Sequence, residues 1–135
     1  MRPGLIRVEA DEVTYNLHIM IRFEIERTLI SGDLAAADLP SEWNRKYKEY
    51  LGVQVSDDTF GCMQDIHWSQ GAFGYFPTYT LGNIYAAQFF DKALQDIPDL
   101  YDQFKIGQFS PLKSWLNEKI HAQGKRYRSA TLCEH

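Results

Sequence analysis

His67, with Asp65 two residues before it and Tyr75 and Tyr79 shortly after, carries the side chains in this sequence that could do chemistry. An imidazole can donate a hydrogen bond to a carbonyl or its oxyanion, and a phenol can do the same. A carboxylate or amide nearby can fix the imidazole's tautomer, which makes Gln64 and Asp65 candidates to orient His67. All of them fall in Gly61–Gln88, a stretch that changes character half-way. Its first part, to Thr78, is Gly-punctuated and aromatic without a period of 2 or 3.6, so it reads as irregular loop. From Tyr79 the residues Leu81, Ile84, Tyr85, Gln88, Phe89 and Leu94 follow helical spacing, and Pro77 stands where a missing N–H costs least. A polar loop thus feeds a buried helix, the kind of support that binding groups need. The competing reading is an aromatic turn that plugs a core.

The elements that must hold this stretch are helical. Glu9 to about Ile30 reads as one long helix with an apolar stripe of Ala10, Val13, Leu17, Met20 or Ile21, and Ile25. Arg22, Glu24 and Glu26 fall on its opposite side, with Arg22 and Glu26 as an i,i+4 pair. Gly32 is placed to cap it. A short turn over Leu34–Leu39 leads to a helix from Pro40 to Leu51, closed by Gly52, with Trp43, Tyr47, Tyr50 and Leu51 on its apolar edge. Val53–Phe60 alternates weakly like a strand. After the helix to Gln95 come a short helix over Asp99–Lys105 and another opened by Ser110 as cap and Pro111 at its first position. Gly124 ends that helix, and a last one begins near Ser129. The fold class is mainly α: a single multi-helix domain over residues 1–135, with at most a short β-hairpin around Val53–Met63.

Two multi-residue motifs carry a resemblance. Gly61-Cys62-Met63-Gln64-Asp65-Ile66-His67-Trp68 resembles the Gly-x-x-Gln-Asp-x-His-Trp motif of the carboxypeptidase Taq family of metallocarboxypeptidases, and Gly74–Gln88 continues it. Ile6-Arg7-Val8-Glu9-Ala10-Asp11 resembles that family's Ile-Arg-x-x-Ala-Asp motif, and the similarity runs from Arg2 to about Tyr127. The resemblance implies a helical zinc-peptidase fold and removal of C-terminal amino acids from peptides. It implies that Arg7 grips the peptide's free carboxylate, which a planar guanidinium does through two parallel hydrogen bonds. His67 and a tyrosine, Tyr79 before Tyr75, then serve the reacting carbonyl, with Gln64 and Asp65 on the substrate side. Glu9 and Asp11 are cap residues or partners of Arg7.

The sequence departs from the family in one large respect. A zinc peptidase of this kind needs two histidines one helical turn apart with a glutamate between them. The residues four after His18, His67 and His121 are Arg22, Gly71 and Lys125, so His-Glu-x-x-His is absent. The expectation is the C-terminal, substrate-side part of such an enzyme, bearing no metal ligand of its own and silent by itself. Zinc, or another divalent ion such as cobalt, would come with a missing N-terminal part. The alternative is a non-catalytic helical module that binds a peptide or protein. His18 and His121 carry no motif and read as structural or exposed.

Composition narrows the partners. The chain has 135 residues with a net charge of -4, and no basic stripe interleaved with aromatics, which argues against nucleic acid. No apolar run reaches the roughly 18 residues of a membrane span, and Arg2-Pro3-Gly4 is not followed by a signal core. Cys62 and Cys133 lack metal spacing and read as reduced thiols of a cytoplasmic protein. Aromatics are 14% of the residues, more than so short a chain buries well, which points to a face for another segment or for a homodimer.

Overall fold

A computed structural model describes residues 2–134. Six α-helices follow in order: α1 Tyr15–Ser31, α2 Leu39–Leu51, α3 Pro77–Asp96, α4 Leu100–Lys105, α5 Ser110–Lys119 and α6 Ser129–Glu134. Single 3₁₀ turns occupy Arg7–Glu9, Ala36–Asp38, Trp68–Gln70 and His121–Gln123. Among the described residues there is no strand. The weak alternation after Val53 is overridden by turn chemistry: Asp57 Oδ1 accepts the backbone N–H groups of Thr59 and Phe60 and folds the segment over. The chain divides into two compact units, Met1–Thr80 and Leu81–His135.

In the first unit α1 packs on α2. Ile21 and Ile25 of α1 meet Trp43, Tyr47 and Leu51 of α2, with Val55 completing the core. Gly32 and Gly52 end the two helices in the left-handed conformation, as their placement predicts. The long helix starts later than the periodicity suggests. Asp11 Oδ1 accepts the N–H groups of Val13 and Thr14 and the Thr14 hydroxyl, which holds the preceding residues in turns and delays α1 to Tyr15.

The expected apolar stripe of α1 is also displaced. Val13 and Met20 are exposed, while His18, Arg22 and Glu26 are buried beside Ile19, Ile21 and Ile25. These three polar residues recur every four positions, so they form one row along the buried face. Each finds a partner on another element: His18 Nδ1 meets Tyr47 OH at 3.1 Å, Arg22 meets Asp65, and Glu26 Oε1 accepts Trp68 Nε1–H at 2.9 Å. Arg22 spends its donors on Asp65, Gln64 and the His18 carbonyl rather than on Glu26.

In the second unit Ala93 and Leu100 are buried, and Phe90, Tyr101, Phe104 and Phe109 pile into an aromatic cluster. Trp115 Nε1–H donates to Asp96 at 2.9 Å. Ser110 is the first residue of α5, with Phe109 at the cap position and no side-chain cap bond. α3 is less buried than its periodicity predicts: of its residues only Ala93 is fully buried.

Candidate functional site

All six residues singled out by the sequence lie in the first unit. Gln64 is the joint between segments. Its Oε1 accepts the Arg7 backbone N–H and the Arg22 Nη2–H, each at 2.9 Å. Its Nε2 donates to the carbonyls of Leu5 and Phe60 at 3.0 and 2.8 Å. The turn before it needs a glycine: a Cβ on Gly61 would lie 2.9 Å from Val55 Cγ1 and 3.0 Å from the Asp57 carbonyl oxygen. The first glycine of the motif is therefore a packing requirement that lets Gln64 reach both neighbours.

Asp65 stands between two guanidiniums. Its Oδ1 accepts from Arg7 Nε and Nη2 at 3.0 and 2.8 Å, and its Oδ2 accepts from Arg22 Nε at 2.7 Å. Burial pushes the Asp65 carboxyl up, but the bonds and charges of Arg7 and Arg22 outweigh it and hold the group below the usual carboxylate range. Burial likewise works against the charge of Arg7, and Asp65, followed by Tyr15, more than restores it. Arg7 Nη1 donates to Tyr15 OH at 3.0 Å. Of the five N–H groups on a guanidinium, these three bonds leave two, one on each Nη.

The aromatic residues close around this pair. Arg7 lies over the rings of Tyr79, Phe76 and Tyr15 at 5.2, 5.7 and 5.9 Å, and Arg22 over Trp43 and Phe76 at 4.6 and 5.3 Å. His67 Nε2 shares a hydrogen bond with Tyr79 OH at 3.0 Å, and its ring packs on Phe76 at 4.3 Å. His67 Nδ1 is buried without a partner among the described residues. Tyr75 flanks His67 and Tyr79 and is half-exposed. Thr80 Oγ1, donating to Asn16 at 3.0 Å, ties the first turn of α3 to α1 and fixes Tyr79.

Arg7, Gln64, Asp65, His67, Tyr75 and Tyr79 thus form one connected array, but not with the expected internal wiring. Gln64 and Asp65 hold arginines, and Tyr79 orients His67. Asp65, rather than Glu9 or Asp11, pairs with Arg7. Sequence reasoning missed Arg22, Tyr15 and Phe76. Arg22 had a signal in its four-residue spacing from His18 and Glu26; Tyr15 and Phe76 had none beyond aromatic character.

No group of three His, Cys, Asp or Glu side chains comes together among the described residues in a way that would hold a metal ion. The donors in the array do not fit a cation either, since Asp65 already serves two positive charges and His67 Nε2 is engaged by Tyr79. Cys62 and Cys133 are free thiols, and burial raises the thiol of Cys62, which disfavours its thiolate.

Comparison with known proteins decides the ancestry. The family model described as carboxypeptidase Taq (M32) metallopeptidase matches residues 1–135. The chain belongs to the carboxypeptidase Taq family. It is 54% identical over 134 residues to thermostable carboxypeptidase 1 of Thermus thermophilus, covering 99% of this chain and 26% of that protein. It is 52% identical over 125 residues to carboxypeptidase 1 of Bacillus subtilis, covering 93% of this chain and 25% of that one. The crystal structure of the family member from Deinococcus radiodurans superposes with a TM-score of 0.95 at 41% identity, covering 99% of this chain and 27% of its own. The chain therefore spans about a quarter of the length of the carboxypeptidase Taq relatives it matches, and the family's helical fold is the fold found here.

Proposed function

We propose that this chain is the C-terminal, substrate-side part of a metal-dependent carboxypeptidase, in which Arg7 receives the free carboxylate of a peptide. The observation that carries this reading is the charge of the buried array: two guanidiniums share one carboxylate, and Arg7 keeps two N–H groups for a further acceptor. An anion is the group such a site lacks. Gln64 and Asp65 belong to recognition, by holding Arg7 in place. Tyr79, its ring against Arg7 and its hydroxyl on His67, stands between the carboxylate anchor and His67. The pair donates a hydrogen bond to the reacting carbonyl, with half-exposed Tyr75 as the second phenol in reach. The divalent ion, zinc or another such as cobalt, and the water it activates belong to the remaining N-terminal part of the enzyme, and this chain alone is silent. Membership of the metallopeptidase family supports the reading, as does the quarter-length match.

The test measures metal content and release of C-terminal amino acids, first for the purified chain and then after mixing with a separately made family segment that bears a His-Glu-x-x-His helix. Turnover in the mixture alone is expected. Stoichiometric metal and turnover in the chain by itself would overturn the reading. Peptide binding that persists in a mixture without turnover would instead favour the non-catalytic interaction module.

A further inference from the structure

We propose that Arg22 is a positioning residue for carboxylate recognition: it satisfies the second oxygen of Asp65 and so leaves the array with the surplus positive charge that Arg7 presents to a peptide's C-terminus. This rests on the reading of Arg7 as the carboxylate anchor. Arg22 has no exposed surface, so it does not touch a peptide itself.

Its role follows from charge balance. Asp65 is the one carboxylate in hydrogen-bond contact with either guanidinium among the described residues. With Arg7 alone, Asp65 would make a neutral ion pair, and a second carboxylate approaching Arg7 would meet the first without compensation. With Arg22 at 2.7 Å from the other oxygen, the three groups sum to one positive charge. The buried surroundings screen that charge poorly. Arg22 is also held from three sides: Nη1–H donates to the His18 carbonyl at 2.8 Å, Nη2–H to Gln64 at 2.9 Å, and the guanidinium lies over Trp43 and Phe76. Gln64 receives Arg22 and the Arg7 backbone on the same oxygen, so displacing Arg22 also loosens the turn that carries Arg7. His18, whose carbonyl takes Arg22, is kept neutral by burial and by the two arginines, with its pKa lowered to about 4, and adds no charge of its own.

The experiment titrates the full chain, by NMR, with N-acetyl-alanyl-phenylalanine and with the same peptide as its C-terminal amide. The wild-type chain is expected to prefer the acid roughly tenfold or more, the scale of one hydrogen bond between charged groups. Arg22→Gln should bring the ratio close to one, and Arg22→Lys, which keeps the charge, should retain most of it. The double variant Arg22→Gln with Asp65→Asn decides between charge and mere packing. It restores one net positive charge and puts a neutral amide pair in place of the ion pair, so it should fold even where the single Gln variant does not, and it should regain the preference. A folded double variant that does not discriminate overturns the proposal, as does a folded Arg22→Gln chain with the wild-type ratio. Arg7→Ala separates the underlying reading: if it keeps the preference, or if the wild-type chain has none, the anchor itself is wrong and this proposal falls with it.

Discussion

At the scale of single residues, the array divides into an anion anchor and a hydrogen-bonded pair, and their removal should read out differently. In the complemented enzyme, Arg7→Ala is expected to raise KM for peptides with a free C-terminus more than it lowers kcat. His67→Ala is expected to lower kcat roughly 100- to 1000-fold, the usual cost of removing one donor to developing negative charge, with KM little changed. Steady-state kinetics with the fold checked by circular dichroism separates the two, and normal cleavage by either variant refutes its assignment. Tyr79→Phe has a stability readout as well. It would leave both ring nitrogens of His67 without a partner inside the first unit. An unsatisfied buried polar group costs about 1–3 kcal/mol, and this bond is part-buried, so urea denaturation of the chain should report a loss no larger than that.

At the scale of elements, the polar row on α1 ties stability to pH. His18 is neutral in the folded chain because burial, then Arg22 and Arg7, bring its pKa down from an ordinary 6.5 to about 4. Between those values the unfolded chain binds the extra proton, so stability rises with pH across that window. It is complete above about pH 6.5 and lost progressively down to about pH 4, by at most about 3 kcal/mol. Asp65, held below its ordinary value of 3.8, acts in a separate and lower window, where acid removes what the two arginines contribute. Denaturation midpoints measured from pH 7 to 4 should slope for the wild type and flatten for His18→Gln. The row also marks the limit of what periodicity reveals. The existence of six helices and the two glycine caps were legible because backbone chemistry acts locally; the bounds were less so, since α3 starts at Pro77 rather than Tyr79 and α5 ends at Lys119 rather than near Gly124. The face of α1 was not, because polarity counts as exposure until a partner is known, and Tyr47, Asp65 and Trp68 come from other elements. The motif residues were legible as a group; their wiring was not, since nothing in Gly61–Trp68 says that Asp65 meets arginines rather than His67. Gly61→Ala tests the local part. With the Asp57 carbonyl oxygen and Val55 Cγ1 in the way, it should destabilise the first unit and weaken peptide binding together, whereas Gly71→Ala, in a site with open space, should cost only the strain of its positive φ.

At the scale of the whole molecule, what is left uncovered points to assembly. No helix among the described residues is long and apolar enough to cross a membrane, so a bilayer-spanning helix does not account for the apolar surface. Trp43 and Tyr47, on the aromatic edge of α2, do not contribute to that surface, since both are buried in the first unit's own core. The exposed apolar groups are elsewhere. In the first unit they include Val8, Ile30, Met63 and Ile66, each more than half exposed, and Phe23 and Phe73; in the second, Leu81, Ile84, Ile106 and Phe109. Val8, Met63 and Ile66 sit in or beside the two motifs that hold Arg7 and His67. A peptide site would therefore be bordered by surface that water covers poorly. Such surface is expected to associate, either with a second copy or with the remaining part of a complete enzyme, and the two outcomes differ in concentration dependence. Sedimentation of the chain alone should show self-association rising with concentration, together with binding of a hydrophobic dye. Adding the complementing segment should abolish dye binding and replace self-association by a stoichiometric complex if that segment is the partner. If the second copy is the partner, the dye is displaced by dimerisation alone and the segment adds to the dimer without dissolving it. A monodisperse monomer that binds no dye at any concentration would show that these residues are tolerated as ordinary surface.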